Sequence, residues 1–179
     1  MSDRPAAPRL VDEIRQTRPF RSTSAEVALS LMRTAAVIRR RYARVIEPHG
    51  LSLPQYNVLR ILRGAGSEGM PTLAVRERMI EEAAGITRLV DKLGQLGFVE
   101  RVRGGPDRRQ VIVRITEPGL ALLATLDPII DGADAEVLTM LDDAEQHGLR
   151  VLLDRIRGGL GDQLARAGLG GVDSDSLCE

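Results

Sequence analysis

Three arginines crowd one short turn of this chain. Arg103-Gly104-Gly105-Pro106-Asp107-Arg108-Arg109 sets three guanidinium groups on glycine and proline with little else around them. A guanidinium is planar, stays charged and offers forked donors that suit a phosphate or a narrow groove. Arg109, Arg108 and Arg103 are therefore candidates to bind a polyanion. A carboxylate at Asp107 would repel phosphate, so its better use is to brace an arginine and hold the turn in shape. A second set lies upstream, in Ile86-Thr87-Arg88-Leu89-Val90-Asp91-Lys92-Leu93. There Thr87 can donate to a base or a phosphate. Arg88 either contacts a phosphate or pairs with a carboxylate such as Asp91. Lys92 and Gln95, one turn on, serve equally well as ordinary helix surface.

Regular elements must carry these groups. Val27, Leu31, Ala35, Ile38, Tyr42 and Val45 recur at spacings of three and four, which predicts a long amphipathic helix from a Ser24 cap to about Glu47. Pro48 and Gly50 end it. Ser52-Leu53-Pro54-Gln55 has the form of a capping box with proline in the first turn, and opens a helix to about Arg63. Residues 64–69 read as a loop. Thr72 is a cap candidate for a short helix to about Met79, and a further helix spans about Glu82 to Leu96, closed by Gly97. The period then changes to two: residues 98–103 and 111–115 read as strands of a hairpin. Thr116 caps the next helix, which Pro128 should kink or break. Asp142-Asp143-Ala144-Glu145 starts the last one, which frays by about Ala167. Residues 1–9 and the tail from 168 are expected to be disordered.

Composition excludes several classes. The single cysteine, Cys178, rules out an internal disulfide and a cysteine-rich zinc site, and beside Glu179 it lacks a thiolate activator. Two histidines are too few for a convincing transition-metal centre. There is no phosphate-binding glycine loop, nucleophile elbow or metal-hydrolase motif, so an enzyme is not expected, nor any cofactor or metal. With four aromatic residues, a base-stacking platform for single strands is not available either. No apolar run is long enough for a membrane span, and the expected location is the cytoplasm. Overall charge is zero, yet residues 1–115 carry a net +9 and residues 116–179 a net −9. That asymmetry sets a basic working surface against an acidic remainder. All but one of the basic residues are arginine.

A short helix, a tight connection, a longer helix and a basic-tipped hairpin follow one another in winged helix-turn-helix order. The second helix of such a pair fits the major groove, and the hairpin tip then lies by the backbone or the neighbouring minor groove. On these residues the segment from Leu51 to Leu126 resembles the MarR-type (multiple antibiotic resistance regulator) winged helix-turn-helix transcription factors. Leu51-Ser52-Leu53-Pro54-Gln55-Tyr56 is similar to the family's entry to its second helix, and residues 86–93 to its recognition helix. Gly97-Phe98-Val99-Glu100-Arg101 is similar to the first wing strand. Asp107-Arg108-Arg109, followed by Val111, Val113, Ile115 and Thr116, is similar to the Asp-x-Arg wing signature.

The resemblance implies a mainly α fold with a small β-hairpin wing. A DNA-binding lobe would span 51–115, and a helical dimerisation region 24–50 and 116–167, between a partly disordered arm (1–23) and a disordered tail (168–179). It further implies a homodimeric regulator of double-stranded DNA. That regulator would be a repressor, bound to a palindromic operator and released by a small aromatic or phenolic effector. Arg109 would enter the minor groove. The effector would occupy a cleft for which Met32, His49, Tyr56 and Arg60 are chemically suited, with apolar walls, a ring and groups able to pair a carboxylate. The chain departs from the pattern at Glu81-Glu82-Ala83-Ala84-Gly85, where the family often carries serine and threonine. Read as the first turn of the recognition helix, this stretch offers bases few hydrogen bonds. It keeps open an alternative: a ligand-binding or protein-interaction dimer with weak, non-specific DNA binding.

Overall fold

The computed structural model describes residues 9–81, 85–103 and 111–166. Its helices are α1 (Leu10–Glu13), α2 (Thr23–Ile46), α3 (Leu53–Ala65), α4 (Thr72–Glu77), α5 (Ile86–Gln95), α6 (Glu117–Leu138) and α7 (Asp143–Arg166). Its strands are β1 (Met70–Pro71), β2 (Val99–Arg103) and β3 (Val111–Ile115), in the antiparallel order β1-β3-β2. The fold is mainly α with a small sheet. Residues 1–8, 82–84, 104–110 and 167–179, and with them both expected disordered ends apart from Arg9, lie outside the described residues.

The chain divides into two compact units, 1–133 and 134–179. In the first, one apolar core draws on every long element: Ile46 from α2, Leu59 and Leu62 from α3, Val75 from α4, Val90 and Leu93 from α5, Val113 from β3, and Leu123 and Leu126 from α6. Burial of such side chains contributes roughly 1.5–3 kcal/mol each, far more than any surface contact. This core sets where α5 and the hairpin stand.

Several local signals act as expected. The Ser52 N–H donates to Gln55 Oε1 at 2.8 Å while the Gln55 N–H donates to Ser52 Oγ, a reciprocal capping box. Gly97, at φ 76°, closes α5 in a Schellman motif: the Phe98 N–H reaches the Leu93 carbonyl and the Gly97 N–H that of Gly94. Thr116 Oγ1 accepts from the Gly119 N–H and donates to the Gly97 carbonyl at 2.6 Å, so the cap of α6 also fastens the end of α5. In the second unit Asp142 and Glu145 cap each other's N–H groups at 2.8 and 2.9 Å, which starts α7.

Others differ. Ser22, not Ser24, caps α2, because Ser22 has the extended backbone that a cap needs and accepts from the Ala25 N–H. Thr72 does not cap α4. Pro71 holds that place because Met70 and Pro71 pair with Val113 and Ile112 as a third, edge strand of the sheet. Residues 64–69 are more regular than a loop: α3 runs on to Ala65, and a 3-10 turn covers Gly66–Glu68. The helix expected from Glu82 begins at Ile86. Gly85, at φ 98°, is left-handed and cannot belong to a right-handed helix. Pro128 does not break α6. It deprives the Ala124 carbonyl of its partner, but Ala124 and Pro128 are both exposed, so water can serve that carbonyl.

Candidate nucleic-acid interface

Helix α5 has two faces. Ile86, Val90 and Leu93 are buried at spacings of four and three. Thr87, Arg88, Asp91, Lys92 and Gln95 are exposed on the other side. Thr87, Arg88 and Lys92 thus share one outward face. Since the helix starts at Ile86, Thr87 and Arg88 lie in its first turn, where groove-reading helices place their base contacts. Gly85 precedes the helix and does not form that turn, while Ala83 and Ala84 fall outside the described residues. Arg88 makes no ion pair among the described residues, while Asp91 takes a different partner: Arg101 Nη2 of β2, 2.8 Å away.

That pair ties the outward face of α5 to the first strand of the hairpin. Arg101 stands opposite Val113 in the ladder, and Arg103 ends β2 opposite Val111. Strand β2 therefore lies beside α5 and ends at Arg103. Arg108, Arg109 and Asp107 fall outside the described residues. Ahead of α5, Arg39 Nη1 of α2 meets Glu81 Oε1 at 2.7 Å, and the Ile80 N–H donates to Asn57 Oδ1 of α3 at 3.0 Å. Sequence reasoning offered Asp91 as a partner for Arg88 and missed both the Asp91–Arg101 and the Arg39–Glu81 pairs. No periodicity marks them, because each pair joins different elements.

The four residues expected to line an effector cleft separate into two kinds. Tyr56 and Arg60 come together one turn apart on α3, with the guanidinium 5.9 Å from the ring centroid. Tyr56 is a core residue, 5% exposed. Burial raises its phenol above the usual tyrosine value, partly offset by the positive charge of Arg60. Met32 is 68% exposed on α2, and His49 is half-buried in the 3-10 turn that follows that helix. Also on α3, Arg63 Nη1 pairs with Asp127 Oδ2 of α6 at 2.7 Å; this hydrogen bond raises the pKa of Arg63. A separate cavity of about 200 Å³ in the second unit is lined by Leu138, Gln146, Leu149, Arg150, Leu153 and Arg157, and shares none of these four residues.

Among the described residues, no group of three or more His, Cys, Asp or Glu is placed to hold a metal ion. None of the described helices is long and apolar enough to cross a membrane.

Comparison with known proteins agrees with this architecture. The family model of the transcriptional regulators SarA/Rot matches residues 41–126. A MarR transcription factor from Planctomyces limnophilus is 36% identical, with a TM-score of 0.59 over 76% of this chain and 98% of that one. The HTH-type transcriptional regulator PecS of Dickeya dadantii is 28% identical over 150 residues, 82% of this chain and 90% of PecS. Bordetella bronchiseptica BpsR, whose structure concerns regulation of DNA binding by 6-hydroxynicotinic acid, shares the fold at 22% identity and a TM-score of 0.67, over 74% of this chain and 98% of that one. With the winged lobe, the order of its elements and these relatives in agreement, the chain belongs to the MarR family of winged helix-turn-helix transcription regulators.

Proposed function

We propose that this protein is a homodimeric repressor that binds a palindromic operator and is released by a small aromatic or phenolic acid. The observation that carries the reading is the outward face of α5, where Thr87, Arg88 and Lys92 stand beside a wing strand that Asp91 and Arg101 hold to the same helix. In this reading α5 enters the major groove. Thr87 and Arg88 contact base edges or phosphates from its first turn, and Lys92 a phosphate. Arg109 reaches the adjacent minor groove, Arg103 and Arg108 hold the backbone, and Asp107 braces the wing.

Dimerisation is supported by apolar surface. Leu149, Leu152, Ile156 and Leu160 of α7 recur at spacings of three and four, and all are exposed. A stripe of that kind on a helix calls for a partner helix. Two lobes on a two-fold axis match two half-sites one helical turn apart. Release by a ligand is supported by the Tyr56–Arg60 pair, which sets a cation against a ring, and by the regulation of BpsR by 6-hydroxynicotinic acid. An effector that binds better to a dimer with its lobes out of step with the grooves shifts the population away from DNA.

The test is selection of bound duplexes from a random pool at near-physiological salt. Enrichment of a palindrome with half-sites about 10–11 base pairs apart is the expected result. Salt-sensitive binding to every sequence alike would favour a ligand-binding or protein-interaction dimer instead.

A further inference from the structure

Residues 79–81, ahead of α5, are each held by a different part of the lobe. Met79 packs against the apolar core. The Ile80 N–H is bound by Asn57 of α3, and the Glu81 carboxylate by Arg39 of α2. Glu81 is followed within five residues by the first turn of α5. Within α5 itself, Asp91 is bound by Arg101. Helix α5 is thus tied to the wing strand through its own surface, and Glu81, five residues before its first residue, is tied to α2.

From this we infer that Arg39 is a positioning residue for the recognition helix, acting from α2 through Glu81. The inference rests on the reading of α5 as the DNA-contacting helix. Arg39 lies in the last third of the 24-residue α2, so a shift of α2 moves the anchor of the segment that leads into α5. The pair also neutralises a carboxylate that precedes the DNA-reading face. An ion pair between half-exposed side chains has little effect on global stability. Its consequence lies in alignment, where a small displacement worsens the fit of both lobes of a dimer.

The experiment is a charge-reversal cycle with Arg39→Glu, Glu81→Arg and the double variant, with Arg40→Glu as a control of equal charge change. The first readout is the ratio of affinities for the selected duplex and a scrambled one, which a uniform change in phosphate attraction leaves alone. Each single reversal is expected to lower that ratio about fivefold or more, the double to recover it to within about twofold, and Arg40→Glu to leave it unchanged. The second readout, amide exchange over residues 86–95 in the free protein, needs no DNA: it should quicken in each single variant and recover in the double. Melting temperatures check that all four proteins fold, and Arg39→Gln with Glu81→Gln repeat the comparison if a reversal does not. Unchanged ratios and unchanged exchange in the single variants overturn the inference, as does a double variant that fails to recover. If the wild-type protein selects no duplex, the DNA-contacting reading falls, and the exchange data still decide whether Arg39 holds the helix.

Discussion

Arg101 of β2 and Asp91 of α5 meet at 2.8 Å, which joins the first hairpin strand to α5 on the solvent side of that helix. Both side chains are near half exposed, so the pair contributes at most about 1 kcal/mol to stability. On the proposed reading, its larger effect is to keep two DNA-facing elements in one alignment. Arg101→Ala should leave the melting temperature within a few degrees of wild type and weaken operator binding several-fold. Fluorescence anisotropy with the selected duplex measures this, and unchanged affinity would remove the alignment role.

The wing makes a separate prediction. If Arg108 and Arg103 bind DNA phosphates, replacing either with alanine makes affinity less sensitive to salt. The slope of log affinity against log salt falls by about one for each phosphate the protein no longer holds, and by twice that in a two-lobed dimer. A titration from low to physiological salt reads it directly. A slope equal to that of the wild type would place the substituted arginine in solvent.

Gly119 sets how closely α6 approaches the hairpin. A Cβ there would collide with the Phe98 carbonyl oxygen and stand 2.8 Å from Ile115 Cγ1. That carbonyl is held in place because it accepts the Thr116 N–H at 3.0 Å. Gly119→Ala is therefore expected to destabilise the lobe by about 1–3 kcal/mol through overpacking. Gly132 lies on the same helix, where an added methyl group meets nothing within 4 Å. Gly132→Ala should stabilise by up to about 1 kcal/mol through helix propensity. Denaturant melts of the two variants should move in opposite directions.

Tyr56 predicts a pH dependence at the alkaline end. Burial raises its folded-state pKa above that of the unfolded chain, so the unfolded chain loses the phenolic proton first. The contribution is complete below about pH 10, the ordinary tyrosine value, and is lost as pH rises through the raised one. Tyr56→Phe should flatten this decline, as seen by denaturant melts at a series of alkaline pH values. An equal decline in that variant would assign it to other groups.

Much of the architecture was legible in the residues. The capping boxes at Ser52–Gln55 and Asp142–Glu145, the Gly97 terminus and the change of period at Phe98 are all signals contained within a few residues. Their partners lie within one turn, so local chemistry is enough to locate them. The exceptions are instructive. Strand β1 is two residues long and contains a proline, so it has no period to detect; it exists because Met70 finds Val113. The outward face of α5 was legible from spacing, but not its starting point, which turns on the left-handed backbone of Gly85.

The order of the long helices and of the two hairpin strands, the buried face of α5 and the division of charge between the two parts of the chain follow from the sequence, because they depend on local backbone preference and on periodic burial. The ion pairs that orient α5 do not. Arg39 and Glu81 are 42 residues apart, and Asp91 and Arg101 lie on a helix and a strand of different period. Charged residues are common on any surface, and which of them meet is set by how the core packs the elements that carry them.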